Sequence, residues 1–227
     1  MRVVARDVSV DGRYEPLVPP TSLIAEAGTV TYVAGYPGAG CTALGLALTG
    51  RITLSSGTVE AENLHAPLPA SSALVDSPDV TAPGDELKVR ELVAEDLALA
   101  GRQSGRKAVR LWLRDRNLEA IAADPIEIVP SATRTSILCA LAVERRGVQL
   151  LVLDCPDRFG GNPHAWQQIA TSYAEAGLAV VVLCDRRSIE LLGVAAYAIG
   201  ATDLPDQPDT PDLPDEPASS TDESPTD

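Results

Sequence analysis

The sequence predicts an α/β fold in which a helical lobe is inserted into a core built on a parallel sheet. Dense aliphatic runs at Val148–Leu153 and Leu178–Leu183 are bounded by turns, as is typical of parallel strands buried on both faces. A helical pattern at Pro163–Ala176 separates the two runs, so that strand and helix alternate. Apolar residues recur at helical spacing between residues 87 and 143, which predicts the inserted lobe.

The elements before this lobe are predicted to be mostly strands. Two of them, Val3–Val10 and Ser22–Ala25, lie within residues 1–34, which are predicted to form strands and turns. Gly28–Ala34 follows as a short buried strand, and the apolar helix Thr42–Leu48 comes after a glycine-rich loop. Further strands are predicted at Thr58–Glu62 and Ala73–Val75.

Three amphipathic segments make up the lobe, which is predicted to span about residues 86–145. Their apolar residues are Leu92, Val93, Leu97 and Leu99 on the first, Leu111, Leu113, Leu118 and Ile121 on the second, and Ile137, Leu138, Leu141 and Ala142 on the third. We interpret residues 1–202 as one domain of core and lobe, because a chain of 227 residues is long enough to bury one substantial core.

The last part of the chain has a different composition. Residues 203–227 contain nine acidic residues, no basic ones and repeated Pro-Asp pairs, so this segment is predicted to be disordered. We interpret it as a solubilising tail, with a docking segment as the alternative. The other 202 residues hold 23 acidic and 18 basic side chains, a formal net charge of −5. This acidity argues against nucleic acid as a partner and against anionic lipid.

The hydropathy pattern predicts a cytoplasmic protein with no direct insertion into a membrane. No apolar run approaches the roughly 18 residues of a spanning helix, and no apolar signal-peptide segment follows Met1. The four cysteines are therefore expected to be thiols rather than disulfides.

The glycine-rich loop Gly35–Thr42 is the most informative motif. It fits the phosphate-binding P-loop pattern G-x-x-x-x-G-K-[ST], with Cys41 in the lysine position. Glycines let backbone N–H groups approach a phosphate, the next helix N-terminus adds positive potential, and the Thr42 hydroxyl would bind Mg²⁺. The candidate nucleotide-binding residues are Gly35, Tyr36, Pro37, Gly38, Ala39, Gly40, Cys41, Thr42 and Ala43. The alternative is a glycine-rich turn that binds nothing.

The cysteine in the lysine position of this loop is expected to lower the affinity for a nucleotide. A neutral Cys41 cannot supply the cation that bridges the β- and γ-phosphates. A charge-assisted hydrogen bond contributes about 1.5–3 kcal/mol. Its loss is expected to weaken binding by about ten- to a hundred-fold if no other group replaces it.

A second motif, Leu150–Asp154, is an apolar strand that ends in an acid. Asp154 is the candidate second Mg²⁺ group, acting through water in most such sites. Together with Cys155 and Pro156 the strand gives Leu-Asp-Cys-Pro. This resembles the Leu-Asp-Glu-Pro of ATP-binding cassette (ABC) ATPases.

The resemblance covers nearly all of residues 1–200. Thr21–Val30 resembles the strand pair before a cassette P-loop, Leu48–Val59 resembles the stretch after it, and Leu87–Glu91 resembles the opening of the helical lobe. It implies an ATP-binding subunit of an ABC transporter, of a degenerate actinobacterial type. The implied fold is a P-loop NTPase with an ABC-type RecA-like core, an N-terminal antiparallel β subdomain and an inserted α-helical lobe.

Most of the functional positions of the family are altered. Tyr14 lies where an aromatic ring stacks on adenine and is retained. Three altered positions are motifs: the glutamine loop at Asp76-Ser77, the signature at residues 129–133 and the D-loop at residues 160–163. Within the signature, only Ser131 keeps a hydroxyl that could cap a phosphate. Two are single residues, since Cys155 stands for the catalytic glutamate and Asp185 or Cys184 for the switch histidine. The magnesium groups Thr42 and Asp154 remain, so the site is expected to hold a nucleotide but to hydrolyse it poorly.

Cysteines at three of these positions are expected to converge, since Cys41, Cys155 and Cys184 all lie at strand or loop ends near the P-loop. We interpret them as small apolar filler, with a soft-metal site or a redox disulfide as the alternative. Cys139 is expected in the core of the lobe. Cys41, at a helix N-terminus, is expected to have a lowered thiol pKa.

Three functional hypotheses remain from the sequence. In the first, the chain binds Mg-ATP with little turnover as the nucleotide-binding subunit of a membrane transport or export complex. In the second, it is an active transporter ATPase with a divergent site, and in the third it is a nucleotide-free scaffold for a membrane protein. The implied partners are a permease at the inner face of the cell membrane and a second cassette, in a homodimer or heterodimer. The implied cofactors are ATP and Mg²⁺.

Overall fold

The computed structural model describes residues 1–36 and 38–204. The predicted disorder of the acidic tail falls almost entirely on residues 205–227, outside the described residues.

A five-stranded parallel sheet forms the centre of the core, in the order β5-β6-β7-β3-β8. Its strands are β3 (Val30–Gly35), β5 (Ser72–Val75), β6 (Leu150–Asp154), β7 (Ala179–Asp185) and β8 (Tyr197–Ala198). Every adjacent pair is parallel, so the carboxyl ends of all five strands meet at one edge. The glycine-rich loop and Asp154 both follow strands at that edge, which is why they can approach each other.

A second, antiparallel sheet has the order β2-β1-β4. It consists of β1 (Arg2–Val10), β2 (Val18–Glu26) and β4 (Ser56–Glu62). Helix α1 (Cys41–Leu48) lies between the two sheets, and its buried Leu44 and Leu48 pack in one apolar cluster with residues of both. Burial of this cluster fixes the start of α1 directly after the glycine-rich loop.

Helices cover the other face of the parallel sheet. The lobe contains α3 (Val89–Leu99), α4 (Arg106–Arg114) and α5 (Ser131–Ala142), and α6 (Pro163–Glu175) connects β6 to β7. Their apolar faces form a second cluster with the sheet, in which Ile126, Ile137 and Trp166 are buried. Two short helices complete the described chain, α2 (Leu68–Ser71) and α7 (Arg186–Leu192).

The predicted fold class is confirmed, and the predicted strands differ from the observed ones by a few residues at their ends. One assignment is wrong, because Leu118 and Ile121 do not continue the second lobe helix. Helix α4 ends at Arg114, Asn117 takes a left-handed φ of 57°, and a 3₁₀ turn at Glu119–Ile121 follows. Helices α2 and α7 and strand β8 were not predicted, since a helix of one or two turns or a two-residue strand without an unbroken apolar run shows no clear periodicity.

Within residues 1–36 and 38–204, none of the helices combines the length and apolarity needed to cross a bilayer.

Candidate functional site

The glycine-rich loop joins the end of β3 to α1 in a backbone path that requires glycine. Gly38 and Gly40 have φ angles of 86° and 92°, which side-chain-bearing residues rarely adopt. A Cβ on Gly40 would also overlap the carbonyl oxygen of Leu17, at the start of β2. The loop therefore lies closely against the antiparallel sheet, and Gly40 fixes that contact.

This loop borders a cavity of about 1040 Å³, which we call the loop cavity. It lies between the loop, the ends of β6 and β7, the start of α7 and the segment Glu15–Leu17. Of the predicted site residues it is lined by Gly35, Tyr36, Gly38, Gly40, Cys41, Thr42, Ala43, Asp154, Cys155 and Asp185. Ala39 is buried beside them, and the predicted Pro37 lies outside the described residues.

Two predicted residues lie further from the cavity. Tyr14 directly precedes Glu15, which lines the cavity. The Tyr14 side chain is 87% exposed, and its ring lies beside the Arg13 guanidinium. Ser131 is the first residue of α5 in the lobe, and its hydroxyl lies against Gly161, where no Cβ would fit. Neither side chain is among those that line the loop cavity.

Asp154 lies at the floor of the loop cavity and is almost fully buried. The hydroxyls of Thr42 and Ser77 both donate to its Oδ2, each at 2.7 Å. Its Oδ1 is buried and has no hydrogen-bond partner among the described residues. A buried carboxylate oxygen without a partner costs free energy, so this atom is suited to accept a ligand. The oxygen donors of Thr42 and Asp154 fit the preference of Mg²⁺ for one or two protein groups plus water and phosphate oxygens.

Ser77 contacts Asp154 together with Thr42, and the sequence did not predict this role. It follows Asp76 just after β5, and the sequence places the pair only at a degenerate glutamine loop. The strand order brings β5 beside β6, which places Ser77 against the acid that ends β6. No periodicity or motif in the sequence predicts that contact.

Asp76 makes a buried ion pair rather than facing the cavity. The Arg134 guanidinium on α5 donates to both of its carboxylate oxygens, at 2.7 and 3.0 Å, and also packs over the Phe159 ring. Arg134 is 3% exposed, so both charges are desolvated. The pair connects the end of β5 to the lobe.

Cys155 and Cys41 lie against each other at the edge of the cavity. Cys155 follows Asp154 with a left-handed φ of 51°, and the hydrogen bond between the neighbouring residues Thr42 and Asp154 brings Cys155 close to Cys41. The interaction between the two thiols lowers the pKa of Cys41 and raises that of Cys155. The lowered pKa of Cys41 agrees with the sequence prediction in direction, but its main cause is Cys155 rather than the helix N-terminus.

The remaining thiols are buried. Cys184 at the end of β7 and Cys139 on α5 are both 0% exposed, and burial raises the pKa of each. In the described part of the chain, no group of three or more His, Cys, Asp or Glu side chains is arranged to hold a metal ion. The predicted alternative of a soft-metal site built from Cys41, Cys155 and Cys184 is therefore not realised there.

The charged residues on the far wall of the cavity come from segments that the sequence did not single out. Asp157 accepts from the backbone N–H of Asp185 at 2.8 Å and from the Ser188 hydroxyl at 2.6 Å. Asp185, proposed in place of the switch histidine, caps α7 by accepting from the N–H of Arg187. Arg158 donates to the backbone of Asp76, whereas Arg187 has no carboxylate within ion-pair distance among the described residues. Arg187 is therefore a cation on the cavity wall that forms no ion pair within the described residues.

The fold is similar to that of known proteins, although the sequence alone matches none. No protein-family model and no curated protein matches the chain. The structure resembles a nucleotide-free ATP-binding cassette from an ABC transporter, with a TM-score of 0.66, 16% identity and 88% of each chain covered. It also resembles an ABC-transporter cassette in its ADP conformation, with a TM-score of 0.64, 17% identity, and coverage of 88% of this chain and 87% of that one.

A third similar structure is a putative ABC transporter ATP-binding protein from Pyrococcus furiosus, with a TM-score of 0.60 and 15% identity. The alignment covers 82% of this chain and 92% of that one. At such identities the similarity demonstrates the fold and leaves the activity to be argued from the site.

Proposed function

We propose that the chain is a degenerate ABC-type nucleotide-binding subunit of a membrane transport complex, which binds Mg-ATP and hydrolyses it weakly or not at all. One observation carries the proposal. Thr42 and Asp154 are in contact at the floor of the loop cavity, with Asp154 Oδ1 lacking a partner, whereas cysteines occupy the positions of the lysine and the glutamate.

Binding rests on groups of the loop and of β6. The glycine-rich backbone between β3 and α1 presents N–H groups to an anion, and the N-terminus of α1 adds positive potential. Thr42 and Asp154 would hold Mg²⁺, which when bound neutralises charge on the β- and γ-phosphates. Arg187 supplies a cation at the opposite wall, which compensates in part for the missing lysine.

We expect hydrolysis to be weak because the position of the catalytic glutamate holds no carboxylate. At the position of the catalytic glutamate the chain has Cys155, whose pKa is raised by its contact with Cys41 and by burial. The carboxylate of Asp157 is nearby, but its Oδ2 already accepts two hydrogen bonds. A positioned general base contributes about 10²–10⁴-fold to a rate, so its loss leaves binding without efficient turnover.

The partner assignments follow from the similar structures, which are described as cassettes of ABC transporters. We propose that the lobe docks on a permease at the inner face of the cell membrane, which holds the subunit there without insertion of its own. A second cassette would face Ser131 at the start of α5. Because this signature is degenerate, a homodimer would contain two poor sites, which favours a heterodimer with a competent cassette.

One observation favours a nucleotide-free scaffold as the second candidate. The Thr42 hydroxyl already donates to Asp154, so one of the two magnesium groups is satisfied within the protein itself. In that case the cavity would bind no nucleotide, and the chain would act only through its surface.

The experiment is a titration with a fluorescent ATP analogue in the presence and absence of Mg²⁺. Wild-type protein is compared with Thr42→Ala and with Thr58→Ala, which changes an exposed threonine on β4 remote from the cavity. We expect Mg²⁺ to tighten binding to wild type and to Thr58→Ala but not to Thr42→Ala. Absence of binding at millimolar nucleotide would favour the scaffold instead.

A further inference from the structure

Two thiols from different elements meet at the mouth of the loop cavity. Cys41 is the first residue of α1, and Cys155 follows the last residue of β6. Both residues are partly exposed and line the cavity, and their neighbours Thr42 and Asp154 are hydrogen-bonded at 2.7 Å, which brings the two cysteines close together. Solvent and small molecules in the cavity therefore have access to both residues of one adjacent pair.

The backbone holds this pair in place. The residues next to the cysteines are joined by the 2.7 Å hydrogen bond from Thr42 to Asp154, and the N–H of Cys155 donates to Leu183 O of β7 at 2.9 Å. On the loop side, the Cys41 sulfur lies 2.7 Å from where a Cβ on Gly35 would be. Gly35 thus leaves room for the sulfur to lie over the loop and towards Cys155.

The other two thiols lack this combination. Cys139 is enclosed in the lobe, and Cys184, although it borders the cavity, is 0% exposed. Among the four cysteines of the chain, Cys41 and Cys155 are thus the two that are adjacent and partly exposed.

We propose that Cys41 and Cys155 are a modification site, at which a peroxide converts the two thiols into a disulfide across the phosphate-binding loop. The Cys41 sulfur attacks one oxygen of hydrogen peroxide, the O–O bond breaks, and the Cys41 proton leaves with the departing oxygen as water. The resulting sulfenic acid is attacked by the Cys155 sulfur, which expels its hydroxyl with the Cys155 proton as a second water. The two sulfurs lose two electrons in total, and the peroxide gains them.

The consequence for ligand binding rests on the proposed function. A disulfide ties the start of α1 to the end of β6, at the point where the loop would have to fit around a phosphate. We expect the oxidised protein to bind the fluorescent ATP analogue at least tenfold more weakly, and dithiothreitol to restore the affinity. Formation of the disulfide does not depend on whether the cavity binds a nucleotide.

The test combines intact-mass measurement with peptide mapping of the full chain. After treatment with a small molar excess of hydrogen peroxide, we expect a loss of 2 Da relative to the reduced protein and a linked peptide pair containing Cys41 and Cys155. Alkylation of the oxidised, unfolded protein should then label only Cys139 and Cys184. Cys41→Ser and Cys155→Ser should each abolish the mass loss, whereas Cys184→Ser should keep it.

Three outcomes would overturn the proposal. The first is oxidation of Cys41 that stops at addition of one or two oxygen atoms. The second is a disulfide that involves Cys184 or Cys139, and the third is a disulfide formed only between two copies of the chain. If the disulfide forms but the reduced protein binds no nucleotide, the modification site holds and the proposed function is the part that fails.

Discussion

The residues at the floor of the loop cavity fall into two groups. One has side chains that could bind a nucleotide with Mg²⁺, and the other has cysteines where catalysis would need charged side chains. Thr42 and Asp154 retain the oxygen donors that Mg²⁺ prefers, and Asp154 has an oxygen free to accept a ligand. Cys41 and Cys155 carry neither the positive charge nor the basic carboxylate that their positions have in active cassettes. At this scale the side chains are those expected of the proposed function, nucleotide binding with little or no hydrolysis.

The first prediction concerns the lysine position. Replacing Cys41 by lysine restores a cation that reaches the phosphates, and a charge-assisted hydrogen bond is worth about 1.5–3 kcal/mol. Nucleotide affinity should therefore increase by about ten- to a hundred-fold in a titration with Mg-ATP. Cys139→Ser, which changes a thiol outside the cavity, is the control for loss of a cysteine. An unchanged affinity would mean that residue 41 does not face the phosphates.

The second prediction tests Arg187, the cation proposed to compensate in part for the missing lysine of the loop. Arg187→Ala removes the positive charge on the cavity wall that lacks a carboxylate partner among the described residues. We expect nucleotide binding to weaken about three- to tenfold, in line with a partly exposed charge. Arg186→Ala is the matched control, because Arg186 is an exposed neighbour that does not line the cavity. Equal losses in both variants would show only a general effect of net charge.

Motif spacing predicts some of these residues and fails for others. Thr42 and Asp154 each belong to a short pattern within one strand–loop segment, so they are recognisable without a structure. Ser77 contacts Asp154 from the segment after β5, and Arg187 lines the cavity from α7, and only the strand order places them there. No sequence pattern contains that order.

The elements are connected at two points that matter for the site. The Asp76–Arg134 pair joins β5 to α5 and therefore the core to the lobe. Gly40 brings the glycine-rich loop against the start of β2. Each connection depends on one residue, so each can be tested by one substitution.

The third prediction concerns the buried ion pair. Asp76→Asn keeps a residue type that tolerates the left-handed φ of 57° but leaves the Arg134 charge buried without its partner. Breaking such a pair costs about 3–5 kcal/mol of unfolding free energy. Asp115→Asn breaks the exposed pair with Arg114 and should change stability by less than about 0.5 kcal/mol. Urea denaturation measures both, and similar values would contradict the buried character of the first pair.

The fourth prediction compares two of the three glycines of the loop, Gly38 and Gly40. Alanine at Gly38 carries only the cost of a left-handed conformation, about 1–2 kcal/mol, because nothing lies within 4 Å of its Cβ. Alanine at Gly40 carries that cost and also overlaps the Leu17 carbonyl. Gly40→Ala should therefore lower the thermal midpoint clearly more than Gly38→Ala. The opposite order would mean that the loop does not lie against β2.

Elements with a strong apolar pattern were predicted well whatever their length, and elements without one were missed. The aliphatic strands β6 and β7 and the helix α6 between them follow from the sequence because burial on both faces leaves an unbroken apolar run. Helix α7 has no such run and depends on the Asp185 side chain that caps it. Its contribution to the site, through Arg187 and Ser188, was therefore missed.

At the scale of the whole molecule, the chain keeps the cassette fold at 15–17% identity to the similar structures. Two apolar clusters on either side of the parallel sheet maintain that fold, and they need only apolar residues of suitable size. A catalytic site needs specific side chains instead. Fold and catalytic residues can diverge separately for this reason, which is consistent with the proposed subunit that binds without turnover.

The central claim is that the chain binds Mg-ATP with little or no hydrolysis. Nucleotide occupancy and ATP turnover, measured on the same sample, test it most directly. The fraction of protein bound to Mg-ATP is determined by titration, and steady-state phosphate release is then recorded at the saturating concentration. We predict near-complete occupancy with phosphate release no faster than in the Asp154→Asn control. Robust phosphate release that is lost in that variant would show an active ATPase, and it would contradict the account.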